Sequence, residues 1–202
     1  MKILPNMKKY TERSEFEAVV IGCSAGGIEV LTKILPALPG DIPLSFLIVQ
    51  HLSPPSDNYL TRFLDENCQV TVKEAEDEEC IQPGIVYIAP ANYHLLVEKD
   101  RTLSLSVDRP VNYSRPSIDV LFETAAWVYK ENLVGILLTG ANSDGSQGLK
   151  IIQEQGGLTV VQDPSTAEDP FMPQSALDLI KVDQLLSVEE INFMLRKLRA
   201  KG

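Results

Sequence analysis

The sequence contains few cysteines and histidines and no long apolar run, which are features of disulfide-rich, zinc-binding and membrane-spanning proteins. Its 202 residues include only two histidines and three cysteines, Cys23, Cys68 and Cys80. Three cysteines cannot all pair within one chain, and their spacing suggests neither a disulfide framework nor a zinc cage. No apolar run approaches the roughly 20 residues of a membrane span, and Met1–Arg13 contains no apolar stretch long enough for a signal peptide. We therefore expect a soluble cytoplasmic protein that is not embedded in a membrane.

Positive charge is also scarce. Lysine and arginine number 18 against 28 aspartates and glutamates, which gives a net charge of −10. A general nucleic-acid-binding protein must neutralise phosphates with cations, so we expect no nucleic acid among the partners. The hydrophobic fraction of 44% is enough to form a core.

Continuous apolar runs rich in Val, Ile and Leu recur along the chain, each followed by a turn and a stretch with helical spacing. Such runs are typical of buried parallel strands, and their alternation with helices indicates an α/β fold. The predicted strands are Ala18–Ile21, Phe46–Val49, Val134–Leu138 and Leu158–Val161, and the predicted crossover helices are Ile28–Leu38, Asp57–Glu66, Ser117–Tyr129 and Gly145–Gln155. We predict a doubly wound, mainly parallel sheet with helices on both faces.

Three shorter runs interrupt this pattern. Ile85–Ile88, Leu95–Glu98 and Leu103–Val107 are separated by turn-like segments, which predicts a small antiparallel insertion. The acidic run Glu74–Glu79 is interpreted as a solvated loop before it.

A pattern typical of a helix amino terminus occurs near the carboxyl end of the sequence. Ser187 is followed three residues later by Glu190, the form of a capping box. Apolar residues then continue at helical spacing, which predicts a closing helix over about residues 188–200. No linker divides the chain, so we expect an amino-terminal extension of residues 1–16 and a single domain over residues 17–202.

Gly22-Cys23-Ser24-Ala25-Gly26 has the form G-x-S-x-G and lies between a predicted strand and a helix, where a sharp turn can expose the serine hydroxyl. Small residues also suit any close strand-to-helix turn, so Ser24 could simply cap the helix. A nucleophilic serine needs a base, usually histidine. His51 immediately follows the strand predicted over Ser45–Gln50, at the edge where ligands gather in open α/β sheets. His94 lies in the insertion and is interpreted as structural.

Two aspartates are candidates to orient His51. Asp144 follows Val134–Leu138 through a polar loop, and Asp163 follows Leu158–Val161 after one glutamine. Asp163 precedes a proline, so a turn role accounts for it, whereas Asp144 could be a first-turn acid of the next helix. Asp144 is favoured and Asp163 remains the alternative. The resulting order of Ser, His, Asp differs from the Ser, acid, His order of the α/β-hydrolases.

Several strings then match one family in its own order: Ile21–Gly27, Val49–His51, Tyr87–Pro90, Arg115–Phe122, Leu138–Gly145 and Met172–Pro173. Over about residues 17–200 the chain resembles the catalytic domain of the chemotaxis protein-glutamate methylesterases, the CheB family. The resemblance implies a serine esterase that demethylates glutamyl methyl esters on chemoreceptor signalling helices, releases methanol and in some members deamidates receptor glutamines. It implies Ser24 as nucleophile, His51 as base and Asp144 as orienting acid, with no metal or organic cofactor.

The chain departs from the family pattern at two places. Family members often have threonine after the nucleophile and Met-Gly after Leu-Thr-Gly, where this chain has Ala25 and then Ala141-Asn142. These three residues are the candidate oxyanion or substrate-binding positions, and an oxyanion-donating hydroxyl is expected to be missing. Many members also carry a receiver domain, whereas only Met1–Phe16 precede the first predicted strand. We therefore expect control by a separate regulatory protein or by expression.

Two other functions are compatible with these features. A receptor-docking pseudoenzyme would retain the fold without efficient turnover, as the altered oxyanion region allows. A nucleotide-binding protein would use Gly22–Gly27 as a phosphate loop. The G-x-G-x-x-G spacing is absent, however, and Gln50-His51 stands where a ribose-binding acid is expected.

Overall fold

The computed structural model describes residues 15–51 and 59–200. Within them the strands are β1 (Glu15–Phe16), β2 (Ala18–Cys23), β3 (Ser45–Gln50), β4 (Thr71–Glu74), β5 (Ile85–Ile88), β6 (His94–Val97), β7 (Leu103–Ser106), β8 (Leu133–Leu137), β9 (Leu158–Gln162), β10 (Gln184–Leu186) and β11 (Arg199–Ala200). The α-helices are α1 (Gly27–Ile34), α2 (Tyr59–Asn67), α3 (Ile118–Tyr129), α4 (Ser146–Glu154), α5 (Phe171–Leu179) and α6 (Val188–Leu195), and short 3₁₀-helices cover Leu35–Ala37, Lys130–Asn132 and Pro164–Thr166.

Seven strands form one parallel sheet in the order β10-β9-β8-β2-β3-β5-β4. The central strands β2, β3 and β8 are buried at every residue, which explains their continuous apolar sequences. β6 and β7 pair as a separate antiparallel hairpin, and β1 pairs with β11 in parallel. The predicted doubly wound sheet with an antiparallel insertion is confirmed.

Helices cover both faces of the sheet. One apolar core lies between the sheet and helices α1, α2 and α6, and it contains Leu31, Leu64 and Ile191. The other lies beneath α3, α4, α5 and the hairpin, and it contains Phe122 and Leu149. Among the described residues, no helix is long and apolar enough to cross a membrane.

The direction of winding reverses at β2. The chain passes from β2 to β3 on one side, and β8 pairs with β2 on the other side. In open α/β sheets such a reversal leaves a crevice at the carboxyl ends of the strands, where ligands bind. Ser24 directly follows β2, His51 directly follows β3, and the loop that contains Asp144 follows β8.

One predicted element lies in a different sheet from the one expected. Ile85–Ile88 is not part of the antiparallel insertion, because β5 pairs in parallel with both β3 and β4. The acidic run was predicted as loop, but Glu74 ends β4, the edge strand of the sheet. An edge strand tolerates charged residues because one side faces solvent.

Helix ends differ modestly from the predictions. The predicted helix 28–38 ends at Ile34 and continues as a 3₁₀ turn, and the closing helix ends at Leu195. The capping box of Ser187 and Glu190 is present. Residues 1–14 of the predicted extension, Asp57 and Asn58 of a predicted helix, and residues 201–202 of the predicted domain lie outside the described residues.

Candidate active site

Ser24 is the first residue of the turn between β2 and α1. Its backbone N–H donates to the carbonyl oxygen of Thr139 at 3.0 Å, which ties the turn to the end of β8. Gly26 precedes α1 with a φ of 74°, in the left-handed region. A Cβ at that position would lie 2.6 Å from the Cβ of Glu168. Backbone conformation and space both require glycine in the turn that presents Ser24.

Gln50, the last residue of β3, connects Ser24 and His51 through its buried side chain. Its Nε2 donates to the carbonyl oxygens of Ser24 at 3.0 Å and of His51 at 2.9 Å. Its Oε1 accepts from the Cys23 thiol at 3.1 Å. Burial raises the pKa of that thiol, so Cys23 stays a neutral donor. The Gln50 side chain therefore holds together the backbones that carry the two residues.

The carboxylate of Asp144 is fully buried at the amino terminus of α3. Its donors are His51 Nε2 (3.0 Å) and Ile118 N (2.7 Å) to Oδ2, and Ser117 Oγ (2.8 Å), Asn112 Nδ2 (3.0 Å) and Asp119 N (3.2 Å) to Oδ1. Burial alone would raise the pKa of Asp144, but the hydrogen bonds from His51 and the other donors outweigh it and lower the pKa. Asp144 is therefore an ionised acceptor.

The imidazole of His51 lies between Asp144 and Asn142. Its Nε2 is 3.0 Å from Asp144 Oδ2, and its Nδ1 is 3.3 Å from Asn142 Nδ2. A carboxylate only accepts, so Nε2 carries the proton and Nδ1 of the neutral ring is an acceptor. Within the described part of the chain, the Ser24 hydroxyl makes no hydrogen bond to the ring. Ser24 and His51 nevertheless line the same cleft.

That cleft has a volume of about 610 Å³ and opens beside the turn Ser24–Gly26. Its lining comprises Ser24, Ala25, Gly26, Ile28, Glu29, Gln50, His51 and Glu168. The described lining thus has two carboxylates, on Glu29 and Glu168, and no lysine or arginine. Within residues 15–51 and 59–200, no cluster of three or more His, Cys, Asp or Glu residues could hold a metal ion.

The three candidate oxyanion or substrate-binding positions have different surroundings. Ala25 is exposed and lines the cleft, and its backbone N–H has no backbone acceptor among the described residues. Ala141 is exposed but is not part of the cleft lining. The side chain of Asn142 already has two partners, because its Oδ1 accepts from the Asp144 N–H at 3.0 Å and its Nδ2 donates to His51.

The alternative acid and the second histidine have structural partners. Asp163 accepts from the backbone N–H of Ser165 at 2.9 Å and from its hydroxyl at 2.8 Å, which is a turn role. His94 is buried, and its Nδ1 accepts from the backbone N–H of Ser117 at 3.2 Å. The ring of His94 thus supports the residue that donates its hydroxyl to Asp144.

Sequence reasoning assigned no role to Gln50, Asn112 or Ser117. Gln50 lies in the string Val49-Gln50-His51, and a polar residue at the end of a fully apolar strand is a signal for a buried hydrogen bond. Ser117 directly precedes α3, where a serine is usually read as a helix cap. No sequence pattern indicates Asn112, which comes to Asp144 from a loop with φ of 50° at this residue.

Comparisons with known proteins identify the family of this chain. Residues 19–195 match the family model described as CheB methylesterase. A relative from Leptospira interrogans, named putative protein-glutamate methylesterase/protein-glutamine glutaminase, is 56% identical over 176 residues, covering 87% of this chain and 91% of the relative. A protein-glutamate methylesterase/protein-glutamine glutaminase from Symbiobacterium thermophilum is 37% identical, covering 95% of this chain and 54% of the relative.

A solved structure gives the same result. The CheB methylesterase catalytic domain of Thermotoga maritima superposes with a TM-score of 0.86 at 34% identity, covering 91% of this chain and 98% of that domain. The family resemblance predicted from the motifs is confirmed. The chain belongs to the CheB methylesterase family.

Proposed function

We propose that this chain is a protein-glutamate methylesterase in which Ser24, His51 and Asp144 form the catalytic triad. The observation that carries the proposal is the bond from His51 Nε2 to the buried Asp144 carboxylate, in a ring that shares a cleft with Ser24. This arrangement leaves Nδ1 as the base on the ring. Residues 17–202 are proposed as the catalytic unit.

In the proposed reaction, Nδ1 of His51 removes the Ser24 proton as the hydroxyl oxygen attacks the ester carbonyl carbon. Asp144 keeps the Nε2 proton and stabilises the positive ring. The backbone N–H of Ala25, which has no backbone acceptor among the described residues, supplies a donor to the oxyanion. Protonated His51 gives its proton to the leaving methoxide, so methanol departs and an acyl-enzyme remains. Water, deprotonated by Nδ1, then releases free glutamate and Ser24.

A second activity follows from the same acyl-enzyme. The relatives' names include protein-glutamine glutaminase. An amide would form the same acyl intermediate with ammonia as the leaving group, so the site suits glutamine deamidation as well.

The proposed partners are methylated chemoreceptor signalling helices in the cytoplasm. Ile28 lines the cleft and Phe171 begins α5, and both side chains are exposed, at 44% and 57%. These apolar side chains suit contact with a helix face. Control by a separate regulatory protein belongs to the same proposal.

Two measurements on purified protein test the proposal. A methylated receptor should release methanol with the wild type, and Ser24→Ala should lower the rate at least about a thousandfold, because the nucleophile is lost. A fluorophosphonate probe should label the wild type but neither Ser24→Ala nor His51→Ala. Undiminished methanol release from Ser24→Ala would sink the mechanism. Receptor binding without labelling would instead support the docking pseudoenzyme.

A further inference from the structure

The orientation of the Asn142 side-chain amide follows from its partners. Its Oδ1 accepts from the backbone N–H of Asp144 at 3.0 Å. A backbone N–H can only donate, so the oxygen must face it and the NH₂ group must face His51. The NH₂ group lies 3.3 Å from Nδ1 of the ring. Asn142 therefore donates to Nδ1 of His51, the nitrogen that is proposed to receive the Ser24 proton.

We propose that Asn142 is a positioning residue that holds His51 in the neutral form protonated at Nε2, by donating to Nδ1 until Ser24 replaces it there. This inference rests on the proposed function for the role of Ser24. The hydrogen bond it describes belongs to the resting enzyme and needs no substrate.

The surroundings of His51 explain why such a donor is needed. Asp144 contacts the ring, and Glu29 of α1 and Glu168 line the same cleft. Asp119 lies behind Asp144, joined to it through Asn112. These four carboxylates are the acidic groups around the ring, and a ring protonated at both nitrogens cannot act as a base. A proton on Nδ1 would point at the Asn142 NH₂ group, so Asn142 opposes that protonation.

Two substitutions separate this role from packing. Asn142→Ala removes the donor, so the acid limb of the pH–rate profile should move to higher pH by a few tenths to about one unit, the value of one net hydrogen bond. Asn142→Asp has nearly the same shape, and its Oδ1 still accepts from Asp144 N–H, but it places an acceptor against Nδ1. It should therefore move the acid limb by about one unit or more. The expected order is wild type, then Asn142→Ala, then Asn142→Asp.

Ser143→Ala is the matched control. Ser143 is adjacent to Asn142 and exposed, and no hydrogen bond of its side chain is found among the described residues. The acid limb of the pH–rate profile of Ser143→Ala should coincide with that of the wild type. Acid limbs that coincide in all four proteins, or that follow the reverse order, would overturn the proposal.

Nitrogen-15 NMR of the ring tests the same idea without substrate. The chain has two histidines, so a His51→Gln variant assigns the signals. In the wild type, Nδ1 of His51 should be the unprotonated nitrogen, and the ring should titrate in the same order across the variants. A proton on Nδ1 in the neutral ring would contradict the proposal. If the protein releases no methanol, the proposed function fails, while the ring titration still decides the role of Asn142.

Discussion

Asp119 and Asp144 are two buried carboxylates that share one side-chain amide. The Nδ2 of Asn112 donates to Asp119 Oδ2 at 2.7 Å and to Asp144 Oδ1 at 3.0 Å. Asp144 accepts from four further donors, whereas Asp119 accepts otherwise from the backbone N–H groups of Gly148, at 2.7 Å, and Gly145. The proposed orienting acid of the triad is thus coupled to a second carboxyl group that has fewer donors.

The pH dependence of stability should reveal this second group. Burial, with a contribution from the Asp144 charge, raises the pKa of Asp119 to about 6. Between pH 4 and pH 6 the folded protein therefore binds more protons at this site than the unfolded chain, and this group stabilises the fold as the pH falls. From pH 7 to pH 5 the wild type should gain about 1 kcal/mol more in unfolding free energy than Asp119→Asn.

Urea unfolding at the two pH values measures the difference. Asp41→Asn, at an exposed position, controls for the loss of one carboxyl group. The same pH dependence in Asp119→Asn and in the wild type would contradict the prediction.

The opposite sign applies to Asp144, whose pKa is lowered. Its stabilisation is present above the unfolded pKa of about 4 and is lost as the pH falls through the lower folded value. Ser117→Ala removes the hydroxyl group that donates to Asp144 Oδ1 at 2.8 Å. The pKa of Asp144 should therefore rise, and acid unfolding should begin at higher pH. The buried bond should contribute about 1–3 kcal/mol at neutral pH.

Ser165→Ala is the control for this change. It removes a bond of the same 2.8 Å length from Ser165 to Asp163, at an exposed site where solvent replaces the donor. Its acid unfolding, followed by circular dichroism, should match the wild type. Equal shifts in both variants would mean that burial at Asp144 has no special role.

Gln50 provides a test of how the site is held together. Gln50→Leu preserves bulk but removes the amide that donates to the carbonyl oxygens of both Ser24 and His51, and the Ser24 oxygen keeps only the Gly27 N–H among the described donors. The loss should lower the unfolding free energy by about 1–3 kcal/mol. Methanol turnover should fall, because the backbones that carry Ser24 and His51 lose the side chain that joins them. Gln147→Leu makes the same substitution at an exposed residue of α4 and should leave both quantities unchanged. A normal turnover number in Gln50→Leu would exclude a role in aligning the two residues.

The sequence predicts the central elements well because they are buried on both faces. β2, β3 and β8 are continuous apolar runs, and two of the proposed triad residues directly follow such a run. β10 was missed because it is a three-residue edge strand, and α5 because Pro173 lies in its first turn. Proline is tolerated there, but it weakens a helical pattern in the sequence.

The contacts of the amides were harder to predict. Asn112 reaches Asp144 across 32 residues, and Asn142 reaches His51 across 91 residues. No sequence periodicity or motif spacing links either asparagine to its partner, because only the folded chain brings the two residues of each pair together. The resemblance drew attention to Asn142 as a departure, but the partner of its NH₂ group depends on the orientation fixed by Asp144 N–H.

The turn that follows β2 allows backbone strain and steric crowding to be measured separately. Gly26 and Gly84 have similar left-handed φ values of 74° and 80°, but a Cβ at Gly84 would meet only a backbone oxygen at 3.6 Å. Gly84→Ala should therefore show the backbone strain alone, about 1 kcal/mol. Gly26→Ala adds the contact with Glu168 and should lose more stability, and it should lose methanol turnover because Ser24 is displaced.

The double variant Gly26→Ala with Glu168→Ala tests the crowding directly. It retains a Cβ at residue 168, so it should recover only the part of the lost stability that is due to the Glu168 carboxylate, which lies 2.7 Å from the added Cβ. Thermal unfolding and methanol release measure both effects. Equal stability losses in the two single variants would show that Glu168 does not restrict the turn.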